Sequence, residues 1–99
     1  MTIYQQGANI EREACKNAIR NGYLIAIRGA GSKCYSKNGK YKIDTVFIKK
    51  NEVVLVQHKK TGKISQQELE NLIRLQKKLP NCKVMIGDKN GLKEVVKNG

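Results

Sequence analysis

The sequence predicts a single α/β domain with a mixed sheet flanked by helices. Three observations predict it: a helix-period segment near the N-terminus, three strand-length apolar blocks after it, and a second helical segment followed by one more strand. Residues 8–21 read as the first helix, because Ile10, Ala14, Cys15, Ala18 and Ile19 recur on one face and Gly22 stops it. Residues 23–28 (Y-L-I-A-I-R) are a near-continuous apolar run, expected to be a strand buried on both sides. Residues 29–42 form a polar loop with Gly29, Gly31 and Gly39 and the basic Lys33, Lys37, Lys40 and Lys42. At fourteen residues it is longer than most loops of compact domains, which points to function or disorder.

Residues 43–48 and 53–58 are two strands joined by Lys49-Lys50-Asn51-Glu52, hence a hairpin. Ser65 with Glu68 three residues on is a capping-box start. Leu69, Leu72, Ile73, Leu75 and Leu79 carry the helix that follows, and Pro80 closes it. Residues 83–86 are the last strand of the core pattern, residues 88–91 a turn, and residues 92–96 a short terminal helix. The resulting order is α-β-β-β-α-β over one domain, residues 1–99, with the basic loop 29–42 inside it.

Composition narrows the function classes. No apolar stretch reaches the length of a membrane span, and the first residues carry neither a basic nor an apolar signal region, so a cytoplasmic protein is expected, or one of the host-cell cytoplasm if the origin is viral. Cys15, Cys34 and Cys82 are widely spaced, and with His58 as the single histidine they lack the paired ligands of a structural zinc site. Reduced thiols are expected. Twenty Lys and Arg against eight Asp and Glu give a net charge of +12. Such an excess attracts polyanions and makes nucleic acid the expected partner. The G-A-G-S-K run at residues 29–33 lacks the frame of a nucleotide-binding P-loop.

In so basic a chain the informative residues are acids where solvation does not explain them. With Ile10 set to zero at about 100° per residue, the apolar stripe of the first helix centres near 90° and Glu11 falls at about 100°, inside it. A carboxylate on that face needs a partner cation, whether a metal or a structural ion pair with Arg28 or Lys59. In the hairpin, pairing Ile48 with Val53 sets Val46 against Leu55 and Asp44 against Gln57, and the period of two places Lys59 on the same face. Asp44, Gln57 and Lys59 are then expected to converge, an inference that hangs on the register. Carboxylates from two elements, further oxygens and a lysine are what phosphodiester hydrolysis with Mg²⁺ requires: the metal activates water, and the lysine orients it or stabilises developing charge.

These residues resemble the archaeal Holliday junction resolvase family of the PD-(D/E)xK nuclease superfamily. Gly7 followed by Glu11-Arg12-Glu13 resembles the family's opening G-x3-E-R-E. Gly22-Tyr23 and Arg28-Gly29-Ala30-Gly31-Ser32 resemble its helix end, strand and turn. Lys42-Ile43-Asp44 resembles the strand with the catalytic Asp, and Val56-Gln57-His58-Lys59 stands where the family has E-V-K. The likeness runs from about residue 5 to residue 86.

The resemblance implies a restriction-endonuclease-like fold and a Mg²⁺-dependent endonuclease, with Mn²⁺ a possible substitute, that cuts four-way DNA junctions as a homodimer. It implies catalytic roles for Glu11, Asp44, Gln57, Lys59 and Ser32, and metal binding by Glu11, Asp44, Gln57 and the backbone carbonyl of His58. The expected DNA contacts are Arg12, Arg28, Ser32, Lys33, Lys37, Lys40, Lys42 and Lys60. The side chain of His58, which alternates away from the Gln57 face, is expected to be packed or hydrogen-bonded. Gln57 is the departure: an amide in the family's Glu position offers an oxygen but no charge. A non-catalytic nucleic-acid-binding protein, either a degenerate nuclease or a ribosomal-type RNA binder, is the alternative from a different class.

Overall fold

The structure, a computed structural model, describes residues 3–28, 35, 41–59, 63–88 and 90–95, with side chains from residue 9 onward. Helix α1 spans Ile3–Arg20. It starts five residues before the expected residue 8, through Gln5 and Gln6, which favour helix without contributing to an apolar stripe. Its end is a Schellman turn: Tyr23 N–H donates to the Ala18 carbonyl (3.0 Å), Gly22 N–H donates to the Ile19 carbonyl (3.2 Å), and Gly22 takes φ of 100°. Strands β1 (Ile25–Arg28), β2 (Thr45–Lys49) and β3 (Glu52–His58) follow, then helix α2 (Gln66–Lys78), β4 (Cys82–Asp88) and β5 (Gly91–Glu94).

The strands form one sheet in the order β1-β2-β3-β4-β5, antiparallel except for the parallel β3–β4 pair that α2 connects. Adjacent residues of β3 go to opposite sides, as a pleat requires. Val54 and Val56 pack with Phe47 and Ala18 beneath α1, whereas Leu55 packs with Ile43, Leu72, Leu75 and Val84 beneath α2. Gln76 ties α2 to the sheet by donating to the Cys82 carbonyl (2.6 Å) and accepting from Val84 N–H (2.8 Å). At the hairpin turn Glu52 pairs with Lys83 and Lys49 and accepts from Tyr23 Oη–H, and these partners lower the pKa of its carboxyl to about 2.

Several expectations are corrected. β1 is not buried on both sides: it is a sheet edge with Ile25 and Ile27 about half exposed, because Ala26 faces α1 while α2 lies over the other end of the sheet. Ile19, assigned to the buried stripe, is 49% exposed. Residues 92–95 are not a helix, and residue 96 lies outside the described residues. The Asp88–Gly91 turn, with Asn90 N–H donating to Asp88 Oδ1 and Gly91 at φ 121°, folds Gly91–Glu94 back onto the open edge of β4 as a strand. β2 begins at Thr45, two residues later than expected. Cys15 and Cys82 are free thiols; Cys34 lies outside the described residues, as does most of the loop 29–42.

Candidate active site

The hairpin register is the expected one, Val46 opposite Leu55 and Ile48 opposite Val53. It stops one residue short of Asp44. Ile43 and Val46, three apart, share the cluster under α2, so strict alternation fails between them and does not set the direction of Asp44. Asp44 N–H donates to the Val56 carbonyl, and Asp44 Oδ2 accepts from His58 N–H, both at 2.8 Å. The carboxylate thus takes the place of a ladder carbonyl and is pinned where β2 and β3 part.

Glu11 reaches the same end of the sheet from α1. Its half-buried carboxyl is raised above the usual carboxylate range, chiefly by burial and then by the charge of Asp44, against the lowering effect of Arg28. Arg28 Nε stands 3.9 Å from Glu11 Oε2, a loose pair. The structural ion pair and the second acid are therefore both present: Arg28 attends Glu11, and Glu11 and Asp44 repel across the gap. Lys59 does not pair with Glu11.

Gln57 and Lys59 belong to a second group, on the α2 side. Gln57 is 5% exposed and donates from Nε2 to Glu68 Oε2 at 2.8 Å, and Lys59 Nζ pairs with that same oxygen. The Lys59 hydrogen bond holds the Glu68 carboxyl below its usual range, despite some burial. Ser65 Oγ–H donates to Glu68 Oε1 (3.1 Å), and Ser65 Oγ accepts from Glu68 N–H as the N-cap of α2. Glu68 was legible only as half of a capping box. The clue to more was arithmetic: with eight acids in the chain, each one asks for its own explanation.

His58 lies between Gln57 and Lys59 in the chain, with its ring on the α1 side of the sheet. Its Nε2 lies 2.8 Å from Thr45 Oγ1, and its Nδ1 is buried without a hydrogen-bond partner among the described residues. Burial lowers its pKa against the pull of Asp44, which favours the neutral ring. Gly87 makes room for it: a Cβ at that position would lie 2.6 Å from His58 Nδ1 and 3.0 Å from Leu92 Cδ2. Gly87→Ala is expected to push the ring off Thr45 and to cost about 1–3 kcal/mol through overpacking. Urea unfolding reads this directly, and an unchanged midpoint would show that the ring moves freely.

Arg12 is exposed beside Asn9, and Lys42 is exposed where the chain enters β2. Ser32, Lys33, Lys37, Lys40 and Lys60 lie outside the described residues. Among the described residues, no three His, Cys, Asp or Glu side chains stand close enough together to form a ready metal cluster. No described helix is long and apolar enough to cross a membrane.

A five-stranded mixed sheet between two helices, with a β-hairpin leading through the crossover helix into a parallel strand, defines the chain as a restriction-endonuclease-like α/β domain. A family model described as archaeal Holliday junction resolvase (hjc) matches residues 2–96, and the chain belongs to that family. The family is one of junction-resolving nucleases of DNA recombination. A comparison with curated proteins gives no match.

Proposed function

We propose that this protein is a metal-dependent endonuclease that resolves four-way DNA junctions by phosphodiester hydrolysis, acting as a homodimer with Mg²⁺, or Mn²⁺ in its place. The observation that carries the reading is the pair of carboxylates, Glu11 on α1 and Asp44 just before β2, brought to within electrostatic reach in a protein of net charge +12. A protein that only bound DNA would gain nothing from crowding two anions together near a phosphate-binding surface. A hard divalent cation relieves that repulsion, and Mg²⁺ characteristically uses one or two carboxylates, waters and a substrate phosphate rather than a full protein cage. The donor set therefore fits the ion.

In this reading Glu11 and Asp44 hold the cation, with the His58 carbonyl and Gln57 Oε1 as further oxygens. When bound, the metal lowers the pKa of water and offsets charge on the phosphate. Asp44 is kept in place by His58 N–H, and Arg28 steadies Glu11. Lys59 places a positive charge beside the developing phosphate charge. Ser32 keeps the catalytic role that the resemblance implies, and Arg12, Arg28, Ser32, Lys33, Lys37, Lys40, Lys42 and Lys60 contact DNA. The homodimer reading is supported by the exposed apolar residues Leu24, Ile25 and Ile27 at the sheet edge.

Purified protein incubated with labelled four-way junction, duplex and single strand, in Mg²⁺, Mn²⁺ or EDTA, tests the proposal. Symmetric nicks in the junction with either metal, and none in EDTA, are expected. Tight binding without cutting in any metal would overturn it in favour of a non-catalytic nucleic-acid-binding protein.

A further inference from the structure

The acid that the Gln57 position lacks is present one element away. We propose that Glu68 is a positioning residue of this site: from the first turn of α2 it holds the Gln57 amide and the Lys59 ammonium on one oxygen, so that Gln57 offers its carbonyl oxygen to the cation and the helix supplies the charge missing from the strand. The inference rests on the function proposed above.

The chemistry of the contact gives the orientation. An ionised carboxylate only accepts hydrogen bonds, so the amide group 2.8 Å from Glu68 Oε2 is the NH₂ end. The other end, Oε1, is turned away from Glu68. At 5% exposure the side chain has little water to satisfy it in a flipped state, so the orientation is held. Without Glu68, nothing in this contact would choose between the oxygen and the nitrogen, and an NH₂ group is not a ligand for Mg²⁺.

The same contact explains the departure from the family's Glu. A carboxylate at position 57 would stand against Glu68 at hydrogen-bond distance in a partly shielded place, where the single Lys59 ammonium would face two anions, whereas the amide donates to Glu68 without adding a charge. Gln57 and Glu68 thus form a matched pair, amide on the strand and acid on the helix. Glu68 is also more than a cap. In a capping box the acid reaches back to the N-cap N–H, whereas both Glu68 oxygens are engaged by side chains: Oε1 by Ser65, Oε2 by Gln57 and Lys59.

Four proteins test this: wild type, Gln57→Glu, Glu68→Gln and the double exchange. In metal-free buffer Gln57→Glu should lower Tm by about 5 °C or more. The double exchange should recover most of that loss, because it rebuilds the same pair in reverse. Calorimetric titration with Mg²⁺ alone should show Glu68→Gln binding about tenfold more weakly, as expected when the partner of a metal ligand is removed. The double exchange should regain wild-type affinity, a rescue that a merely structural helix cap would not produce. A double variant no more stable than Gln57→Glu, or Glu68→Gln binding Mg²⁺ like wild type, overturns the proposal. If wild type itself takes up no Mg²⁺ with or without junction DNA, the metal-dependent reading fails and this proposal with it. Wild-type uptake with an unaffected Glu68→Gln sinks this proposal alone.

Discussion

Asp44→Asn is expected to lower junction cleavage by about 10²-fold or more while leaving the protein folded and binding intact. The substitution is chosen because Asp44 has two roles. Its Oδ2 accepts His58 N–H, closing the end of the β2–β3 pairing, and its charge faces Glu11. Asn keeps an acceptor oxygen for His58 and removes the charge, so the loss reports chemistry and not collapse of the strand end. Asp44→Ala removes both. It should be inactive and also less stable by about 1–3 kcal/mol, the usual cost of orphaning a shielded N–H. Junction affinity, measured in EDTA, should be unchanged or better in both variants, since an anion near the phosphates has gone. Single-turnover cleavage and gel-shift titrations decide it. A folded Asp44→Asn protein that cuts at the wild-type rate would move the active site elsewhere.

Junction affinity should fall by roughly 10³-fold or more between about 50 and 200 mM salt, because each phosphate neutralised releases counterions. The net charge of +12 motivates the size of the effect, and the basic residues of the loop 29–42 and its flanks motivate its location. Neutralising Lys42, exposed at the mouth of β2, should reduce the slope of log K against log salt by about one. This separates electrostatic binding from catalysis, since the salt slope should be the same in Asp44→Asn as in wild type. An affinity indifferent to salt would remove the reason for reading the basic excess as a DNA-binding surface.

Short-range pattern was enough for much of the fold. The apolar spacing of Ala14, Cys15 and Ala18, and of Leu72 and Leu75, marked the faces that the two helices bury. The tight connection after Ile48 set the hairpin register, because so short a turn leaves little freedom in which residues face each other across it. What pattern misread were the margins. Leu92, Val95 and Val96 have helical spacing, yet the unpaired edge of β4 offers backbone partners that a five-residue helix cannot match. The Ile25 and Ile27 run looked like a central strand, since a sequence does not say which strand ends at the sheet's edge.

The sequence by itself determined the kind of protein this is: an α/β domain of strong positive charge with Glu11, Asp44, Gln57 and Lys59 at the spacing of a known nuclease family, to which the chain belongs. Those features are local or additive, carried by periodicity, charge and motif order. The tertiary structure alone decided how the site residues are partnered. Alternation could not place Asp44, because the ladder ends beside it and its carboxylate substitutes for a backbone carbonyl. Nor could spacing along the chain show that Glu68, read as a helix cap, meets Gln57 and Lys59. That contact forms only because α2 crosses from β3 to β4 and lays its first turn against the strand it has just left, so residues eleven apart in sequence share one hydrogen bond.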